Sequence, residues 1–443
     1  MMEQHVRFIT LGCKVNHYET QAMREALQGA GIRAMDAPEN SDVDFVVINT
    51  CTVTHEADRN NRYWMRRARR EHPKAKIIVT GCYVERNRAE IEALPEVDLV
   101  IGNQQKDEIA AILTEGCGTP EMQSEAVLRQ KRHQYTALSI STAEGQTRAY
   151  IKIQDGCDHA CSFCKVVLVR GRSRSRELVQ IVEEAQRLCD AGYREIVLAG
   201  IQLGAYGQDQ VSKPTLPDVL EACAAIPGLE RIRLSSIEPT DVTDALIETM
   251  RAIPKVCPQL HIPLQSGDDE VLRAMNRRYD RVYYRNLITR LRTALPDFAL
   301  TLDVMAGFAG ETAEQFENTV ALLREVRPLK CHVFPYSPRE GTRAARFEGA
   351  LPPAVMHERV QRLMTLGENL GRQYSEYYVG RTLPVLVEGK KGPGGLVQGH
   401  TANYLKVCFQ GDEFLKHTMI PVQLLALQGT LFLGKPIYER APR

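Results

Sequence analysis

Two long stretches of this chain alternate short apolar segments with amphipathic ones, and this alternation limits the fold more than any other feature. In the first 115 residues the apolar segments are VRFITLG, VDFVVINT, KIIVTG and DLVIG, each followed by a helical pattern. From Tyr150 the alternation repeats six times, through YIKIQ, REIVLAG, RIRLSS, LHIPL, FALTLDVMAG and KCHVFPY. Because strands that alternate with helices form parallel sheets, the sequence predicts two parallel α/β units.

Breaks in this alternation predict the domain boundaries. An open parallel α/β sheet is expected over residues 1–118, and the aperiodic polar stretch over 119–142 is expected to be a linker. Six consecutive βα units over 143–373 predict a partly closed (β/α)6 barrel of the TIM type, with its chemistry at the carboxyl ends of the strands. Over 374–443, apolar and polar residues alternate between glycine turns, as in a small antiparallel β-barrel.

Composition is that of an ordinary globular protein. Hydrophobic residues make up 44% of the chain and charged residues 25%, and the N-terminus lacks the apolar run of an export signal. No segment reaches the roughly 18 uninterrupted apolar residues of a membrane span. Twelve cysteines in such a chain are expected to be reduced thiols or metal ligands. We therefore expect a cytoplasmic protein with no membrane partner.

Three cysteines within eight residues follow the first strand of the predicted barrel. Cys157, Cys161 and Cys164 form a CxxxCxxC triplet in DGCDHACSFC. Four-iron, four-sulfur clusters are normally held by cysteine thiolates, and a set of three leaves one iron open to a small molecule. An iron that passes one electron to a bound molecule can start radical chemistry. A zinc site or three unrelated thiols is the alternative.

A second set of three cysteines is expected at one edge of the N-terminal sheet. Cys13, Cys51 and Cys82 end the first three predicted strands. Ligands of open α/β sheets gather just outside the carboxyl ends of the strands, so these three thiols are expected to be neighbours in space. Each could instead be a small buried residue, as free cysteine often is. Three such placements in succession favour a ligand set.

Polar residues at strand ends of the predicted barrel form a candidate cofactor cleft. Gln202, Glu238, Gln265 and Asp303 each stand beside glycine or other small residues. This combination suits a ribose or an amino-acid group that passes close to the backbone. Polar residues at strand ends also cap helices, which is the alternative for each of them taken singly.

Two basic segments suggest a nucleic-acid partner. Alternate arginines on extended chain would form one strip for phosphates, and the candidates are Arg170, Arg172, Arg174 and Arg176. Residues 381–443 carry eight Lys or Arg against four Asp or Glu, as small nucleic-acid-binding barrels often do. Since the whole chain has a net charge of only +1, any such affinity must be local. Solvated surface is the alternative for each segment.

These motifs resemble those of the radical S-adenosylmethionine methylthiotransferases over nearly the whole chain. TLGCKVNHYET, NTCTVT and TGCY resemble the N-terminal domain of that family, and CDHACSFC with RGRSRSR resembles its radical domain. GIQLGAYG, SIEP, HIPLQSG and GFAGET resemble the rims of its barrel. GHTANYLKV resembles its C-terminal RNA-binding domain, called TRAM, and so suggests Tyr404 and Lys406 as RNA contacts. Within the family, LGCKVN with NHYE is most similar to the MtaB branch.

The resemblance implies two [4Fe-4S] clusters and S-adenosyl-L-methionine as cofactors. The cluster on the CxxxCxxC triplet would cleave S-adenosylmethionine to a 5′-deoxyadenosyl radical, and the cluster on the N-terminal cysteines would supply sulfur. The implied reaction adds a methylthio group to carbon-2 of N6-threonylcarbamoyladenosine at adenosine-37 of tRNA. The implied partners are the tRNA anticodon stem-loop, a flavodoxin- or ferredoxin-like one-electron reductant and a sulfur donor.

Two other interpretations of the sequence remain open. Other branches of the same family act on N6-isopentenyladenosine of tRNA or on an aspartate of a ribosomal protein. A chain with two cysteine sets and a basic terminal barrel could also be a non-catalytic iron–sulfur protein that binds RNA or transfers electrons.

Overall fold

The computed structural model of this protein describes residues 4–34, 42–114 and 135–437. It contains an N-terminal sheet, a central curved sheet and a C-terminal barrel. Most of the predicted linker, residues 119–134, lies outside the described ranges. The part from 135 to 142 packs on the central body, where Leu138 and Ile140 are buried. No helix of the described ranges has the length and apolarity that crossing a bilayer requires.

Five parallel strands in the order β2–β1–β3–β4–β5 form the N-terminal sheet, which confirms the predicted open sheet. They are β1 Gln4–Thr10, β2 Ile32–Ala34, β3 Phe45–Thr50, β4 Lys76–Gly81 and β5 Leu99–Val100. The helices are α1 Lys14–Gly29, α2 His55–Glu71, α3 Val84–Glu92 and α4 Ile109–Thr114, with a 3-10 helix at Asn103–Glu108. The sequence does not predict β2, because three residues are too few to show a period.

Six parallel strands form the central sheet, which confirms the six predicted βα units. They are β6 Ala149–Lys152, β9 Glu195–Ala199, β10 Arg231–Leu234, β11 Gln259–His261, β12 Ala299–Ala306 and β13 Lys330–Pro335. Two short strands, β7 Gln154–Asp155 and β8 Arg174–Ser175, follow the first of them and pair antiparallel with each other. The bridges Ile232–Val256 and Ser236–His261 join the two halves of the sheet. In the described part of the chain no ladder joins β13 to β6, so the barrel is open along one side.

The longer helices of the central domain cover the outer face of its sheet, and the first, short helix contacts helix α3 of the N-terminal domain. In chain order the helices are α5 Val166–Arg170, α6 Leu178–Asp190, α7 Leu216–Ala224, α8 Asp244–Ala252, α9 Asp269–Ala274, α10 Arg281–Ala294, α11 Ala313–Val326 and α12 Pro353–Glu376. The last of these packs against β13, and Gly367 permits the close approach: a Cβ there would lie 2.8 Å from the Cβ of Cys331. The boundary that the sequence predicts between residues 373 and 374 falls in the last turn of α12.

Five strands close into a small barrel after α12. In ladder order they are β14 Thr382–Lys391, β15 Val397–Thr401, β16 Lys406–Phe409, β18 Leu431–Pro436 and β17 Met419–Gln428. All neighbouring pairs are antiparallel, as predicted, except that β16 and β18 run parallel. One parallel pair is necessary, because an odd number of strands cannot alternate in direction around a closed barrel.

The C-terminal barrel covers the amino-terminal end of the central strands. The guanidinium of Arg231 donates to the carbonyl oxygens of His400 and Pro384, at 3.0 and 2.7 Å. The guanidinium of Arg233 donates to the carbonyl oxygen of Ala402 at 3.0 Å. Both arginines are buried. The cysteine loop lies at the opposite, carboxyl-terminal end of these strands, and helix α1 of the N-terminal domain packs against the central core through Tyr18 and Ala22.

Candidate active site

The three N-terminal cysteines lie at one edge of their sheet. Cys13, Cys51 and Cys82 follow β1, β3 and β4, which are neighbours in the ladder. Gly12 has φ of +105°, and a Cβ there would lie 2.7 Å from the Cβ and 3.1 Å from the Sγ of Cys51. Gly81 has φ of +104°, and a Cβ there would collide with the backbone of β3. Both turns therefore need glycine, and they bring the three thiols to one place.

Burial and proximity make two of these thiols, Cys51 and Cys82, hard to ionise. Burial raises the pKa of Cys51 to about 12, and the neighbouring Cys82 adds to the shift. Burial also raises the pKa of Cys82, although Arg170 opposes it and donates from Nε to Cys82 Sγ at 3.2 Å. A bound cation is what converts such thiols to thiolates. Soft thiolates select iron–sulfur clusters, zinc or copper(I).

The CxxxCxxC loop lies at the carboxyl end of the first central strand, and hydrogen bonds hold its backbone. The N–H of Cys157 donates to the carbonyl oxygen of Gly171 at 3.0 Å. Ser162 donates from its N–H to the carbonyl of Met275 at 2.9 Å and from its hydroxyl to that of Ala274 at 2.8 Å. The loop is therefore anchored to two other segments of the central body.

Each sulfur of the triplet accepts a hydrogen bond. Backbone N–H groups two residues further along donate to Cys157 at 3.3 Å and to Cys164 at 3.4 Å. Arg277 donates from Nη1 to the sulfur of Cys161 at 3.2 Å. Burial raises the pKa of Cys157 to about 12 and that of Cys164 to about 11. Such donors stabilise thiolates and tune the metal that the thiolates hold.

Arg277 is the functional residue that sequence patterns do not reveal. Besides Cys161, its guanidinium binds the carboxylate of Glu238 and donates from Nε to the hydroxyl of Tyr279 at 3.1 Å. Its signal in the sequence is the pair Arg277–Arg278 between two helices. Nothing in that pair shows that one arginine contacts a loop 116 residues earlier.

Two of the four polar residues predicted on the barrel rim hold the cysteine loop. The Oε1 of Gln202 accepts from the N–H of Asp158 at 2.9 Å. Glu238 binds Arg277, which in turn contacts Cys161. These two side chains therefore act on the position of the loop.

The other two, Gln265 and Asp303, meet on the same rim. The N–H of Gln265 donates to the carbonyl of Asp303 at 2.9 Å, and φ of +64° turns Gln265 out of the strand direction. The carboxylate of Asp303 lies 3.2 Å from Nε2 of His261, whose Nδ1 lies 3.1 Å from the hydroxyl of Thr301. His261 is therefore hydrogen-bonded inside the barrel. Gln202 and Glu238 therefore contact the cysteine loop directly or through Arg277, whereas Gln265 and Asp303 contact each other and His261.

The predicted strip of four arginines is not formed. Arg170, Arg174 and Arg176 are buried, and Arg172 is exposed. The buried guanidiniums turn inward because carboxylates from other elements bind them. Asp155, for example, lies 3.1 Å from Arg170 and 3.7 Å from Arg174. The prediction of one phosphate-facing strip is therefore wrong for three of the four residues.

Arg170 belongs to a buried ionic cluster made of Glu19, Lys106, Lys152, Asp155 and Arg170. Glu19 binds Lys106, accepts from Lys152 at 3.0 Å and accepts from Arg170 at 2.9 Å. No member of the cluster has a side chain more than 6% exposed. Burial opposes ionisation of Glu19, but the three cations hold its pKa well below its usual range. The cluster connects helix α1 of the N-terminal domain to the segment that follows the cysteine loop.

The two residues suggested as C-terminal RNA contacts have different surroundings. Lys406 is exposed at the start of β16. The ring of Tyr404 stacks on that of His400, with centroids 5.1 Å apart, and the guanidinium of Arg233 lies 4.9 Å from its centroid. Tyr404 therefore faces the junction between the C-terminal barrel and the central sheet rather than open surface.

Comparison with known proteins defines the class first. The Radical SAM superfamily matches residues 151–323, and Uncharacterized protein family UPF0004 matches residues 5–102. A solved radical S-adenosylmethionine methyltransferase, TsrM from Kitasatospora setae, covers 75% of each chain with a TM-score of 0.56 and 15% identity, a likeness of fold alone. Fold and cysteine loop together define a radical S-adenosylmethionine protein.

Relatives along the full length then give the family. Threonylcarbamoyladenosine tRNA methylthiotransferase MtaB of Bacillus subtilis is 39% identical over 423 residues, 95% of this chain and 93% of the relative. The MtaB protein of Thermotoga maritima is 35% identical and covers 96% of both chains. A tRNA-2-methylthio-N(6)-dimethylallyladenosine synthase of Chloroflexus aurantiacus is 35% identical and covers 96% and 90%. The chain belongs to the radical S-adenosylmethionine methylthiotransferases, a family of transferases.

The cofactors of this family are [4Fe-4S] clusters and S-adenosylmethionine, and both cysteine sets fit such clusters. Each set gathers three thiols, and in each an arginine donates to one sulfur at 3.2 Å: Arg170 to Cys82 and Arg277 to Cys161. In the three described ranges no group of His, Cys, Asp or Glu side chains is placed to hold a single metal ion. The fit therefore rests on the thiol chemistry and the arginine donors.

Replacing Arg277 with methionine is expected to lower both iron retention and S-adenosylmethionine cleavage by roughly 10–100-fold, since that is the usual cost of removing a group that orients a metal ligand. Arg277→Lys keeps the charge but cannot contact Cys161 and Glu238 at once, so we expect its iron content and cleavage rate to lie between those of wild type and Arg277→Met. Iron content and the rate of 5′-deoxyadenosine formation under reducing, anaerobic conditions measure the effect. Arg278→Met is the matched control, because Arg278 is exposed. Equal values for both methionine variants would contradict the prediction.

Proposed function

We propose that the protein is a tRNA methylthiotransferase that adds a methylthio group to carbon-2 of N6-threonylcarbamoyladenosine at adenosine-37. The observation that carries the proposal is the link between the two cysteine sets: Arg170 donates to Cys82 and lies six residues after Cys164. A reaction that needs a radical and a sulfur source requires two such centres side by side. The relatives named for this nucleoside, 35% and 39% identical over nearly the full chain, support the choice of substrate.

The six cysteines are assigned as cluster ligands. The N-terminal set is Cys13, Cys51 and Cys82, and the loop set is Cys157, Cys161 and Cys164. When bound, the clusters and S-adenosylmethionine supply one-electron chemistry and sulfur. The remaining task of the protein is to position these groups. We assign the ribose and amino-acid parts of S-adenosylmethionine to the rim formed by Gln202, Glu238, Gln265 and Asp303.

The tRNA anticodon stem-loop is the proposed substrate, and exposed cations on two domains support it. Arg172 is exposed directly after the cysteine loop, and Lys406 is exposed on the C-terminal barrel. Phosphate contacts of this kind supply most of the sequence-independent affinity for nucleic acids. Arg170, Arg174 and Arg176 are assigned instead to the interior, where they neutralise buried carboxylates.

Two further partners follow from the chemistry of the reaction. Cleavage of S-adenosylmethionine consumes one electron, and we propose a flavodoxin- or ferredoxin-like protein as its donor. Each transferred sulfur must be replaced, so a sulfur donor is required as well. A tRNA substrate supports a cytoplasmic location, which we propose for this protein.

Nucleoside analysis of tRNA tests the proposal. The chain is expressed in two bacterial strains, one lacking the methylthio group on threonylcarbamoyladenosine and one lacking it on isopentenyladenosine. Liquid chromatography with mass spectrometry is expected to detect the first product and not the second. Cys161→Ala, expressed to the same level, is the control and is expected to restore neither.

The other outcomes assign the other functions. Restoration of the isopentenyl product alone would move the protein to that branch of the family. Methylthiolation of a ribosomal-protein aspartate, with no change in tRNA, would move it to the third branch. If no product forms and the reduced holoenzyme yields no 5′-deoxyadenosine, the protein is a non-catalytic iron–sulfur protein.

A further inference from the structure

A cationic cavity of about 200 Å³ lies where the three domains meet. Its basic and aromatic lining includes Lys14, Arg148, Arg233, Lys330, His332 and Tyr404. The first comes from helix α1 of the N-terminal domain and the last from the C-terminal barrel. The others belong to the central body. A whole ligand typically occupies roughly 300–1,000 Å³, so this cavity suits one substituent of a larger substrate.

The cavity has positive charge that the protein itself does not neutralise. None of its lining residues is acidic. Arg233 is paired with Glu195 at 2.7 Å, and Arg148 is paired with Glu388 at 3.1 Å. In the described part of the chain, Lys14 and Lys330 form no ion pair. Two ammonium groups without a carboxylate partner favour an anionic ligand.

The pKa of the Tyr404 phenol reflects the same positive charge. Burial by itself would raise the pKa of this phenol, yet the pKa lies below its usual value because Arg148 and Lys14 oppose the effect of burial. Its ring also lies 5.6 Å from the guanidinium of Arg148. The cations that lower this pKa would also stabilise a carboxylate bound in the cavity.

The cavity adjoins both halves of the proposed active site. Lys14 follows Cys13 directly, so its Cα is about 3.8 Å from that of a proposed cluster ligand. On the other side, His261 lines the cavity, and its Nε2 lies 3.2 Å from Asp303 on the barrel rim. A base whose carbon-2 faces the two cysteine sets therefore has this cavity beside it.

We propose that the cavity binds the carboxylate of the N6-threonylcarbamoyl substituent, with Lys14 as the residue that selects it. This inference rests on the proposed function and adds the basis of its specificity. The threonylcarbamoyl group ends in a carboxylate and a hydroxyl, whereas an isopentenyl group is wholly apolar. An apolar group in this cavity would leave the largely buried Lys14 desolvated without a partner, so the cavity rejects it as well as favouring the acid.

Binding of matched RNAs by the reconstituted holoenzyme tests the inference. The probes are two anticodon stem-loops that differ only in the N6 group, threonylcarbamoyl as the free acid or as its methyl ester. Fluorescence anisotropy at fixed ionic strength is expected to show wild-type preference for the acid of roughly tenfold or more, the usual value of a hydrogen bond to a charged group. Lys14→Met is expected to abolish this preference, and Lys14→Arg to retain most of it.

Two further variants keep the test independent of cluster assembly. Lys330→Met removes the other unpaired cation from a strand remote in sequence from Cys13, and it is expected to reduce the preference several-fold with iron content unchanged. Arg324→Met removes an exposed charge from the outer helix α11 and is expected to behave as wild type. Iron per chain is measured for every variant, and binding is compared at equal loading.

The outcomes separate this inference from the proposed function. If the holoenzyme methylthiolates the threonylcarbamoyl RNA while Lys14→Met and Lys330→Met still prefer the acid as wild type does, the cavity assignment is wrong and the proposed function stands. If the wild type methylthiolates only an isopentenyl stem-loop, the proposed function is wrong, and the assignment is overturned with it. Product formation on the acid, together with loss of the preference in the two lysine variants, supports the proposed function and the cavity assignment.

Discussion

Replacing Cys51 with alanine is expected to abolish methylthio transfer while S-adenosylmethionine is still cleaved, and replacing Cys161 is expected to abolish both. The reason is that the two cysteines belong to different sets, at the edge of the N-terminal sheet and in the loop after the first central strand. Each variant is expected to retain about four of the roughly eight irons that two four-iron clusters contain. Iron analysis, 5′-deoxyadenosine yield and methylthio product from one reconstituted sample measure all three effects.

Cys223 is the matched control for these substitutions. It is fully buried on helix α7, away from both sets, and packs in the main apolar core. Cys223→Ala is expected to keep full iron and both activities. If Cys51→Ala retains methylthio transfer, or loses S-adenosylmethionine cleavage as completely as Cys161→Ala, the division of labour between the two sets is wrong.

Replacing Glu19 with glutamine is expected to lower the free energy of unfolding by about 3–5 kcal/mol, since removing one partner of a buried ion pair leaves the others uncompensated. The variant would leave Lys106, Lys152 and Arg170 with the single carboxylate of Asp155. The midpoint of urea unfolding, followed anaerobically on the holoprotein, measures the loss. Glu248→Gln is the control, because the ion pair of Glu248 with Arg251 is exposed on helix α8. Equal midpoints for the two variants would contradict the prediction.

The pH dependence of the free energy of unfolding gives an independent measure of the stability that the Glu19 carboxylate contributes. The pKa of Glu19 in the folded protein lies well below its ordinary value of 4.5. A carboxylate of this kind contributes its stability above the unfolded pKa, and the contribution is lost as pH falls below about 4.5 towards the folded pKa. Wild type is therefore expected to lose more stability than Glu19→Gln between neutral and acidic pH.

Local patterns were sufficient for the placement of the cysteines. Cys13, Cys51 and Cys82 each follow an apolar strand, and parallel strands bring their carboxyl ends to one edge of a sheet. The strand pattern therefore places these thiols at one edge, and the glycine turns at Gly12 and Gly81 bring them together. The same reasoning placed Cys157 and its neighbours after the first strand of the central sheet.

The charged residues were not predictable in the same way. Whether Arg170 faces RNA or the interior depends on Glu19, which lies 151 residues away in the sequence. The orientation of Arg277 depends on a sulfur atom 116 residues away in the sequence. The surroundings of the Tyr404 ring depend on Arg233, which belongs to another domain. Alternation along an extended segment predicts which arginines share a side. It does not predict which side of the segment will face a carboxylate of another element, since that depends on how distant segments pack.

The contact between the C-terminal barrel and the central strands restricts how this architecture can be rearranged during evolution. Arg231 and Arg233 are buried, and their guanidiniums donate to carbonyl oxygens of the C-terminal barrel. Deleting that barrel, or exchanging it for one with a different loop at residues 400–404, would leave donors of two charged groups unpaired. A replacement domain must therefore present carbonyl oxygens to the same two guanidiniums, whatever its side chains are.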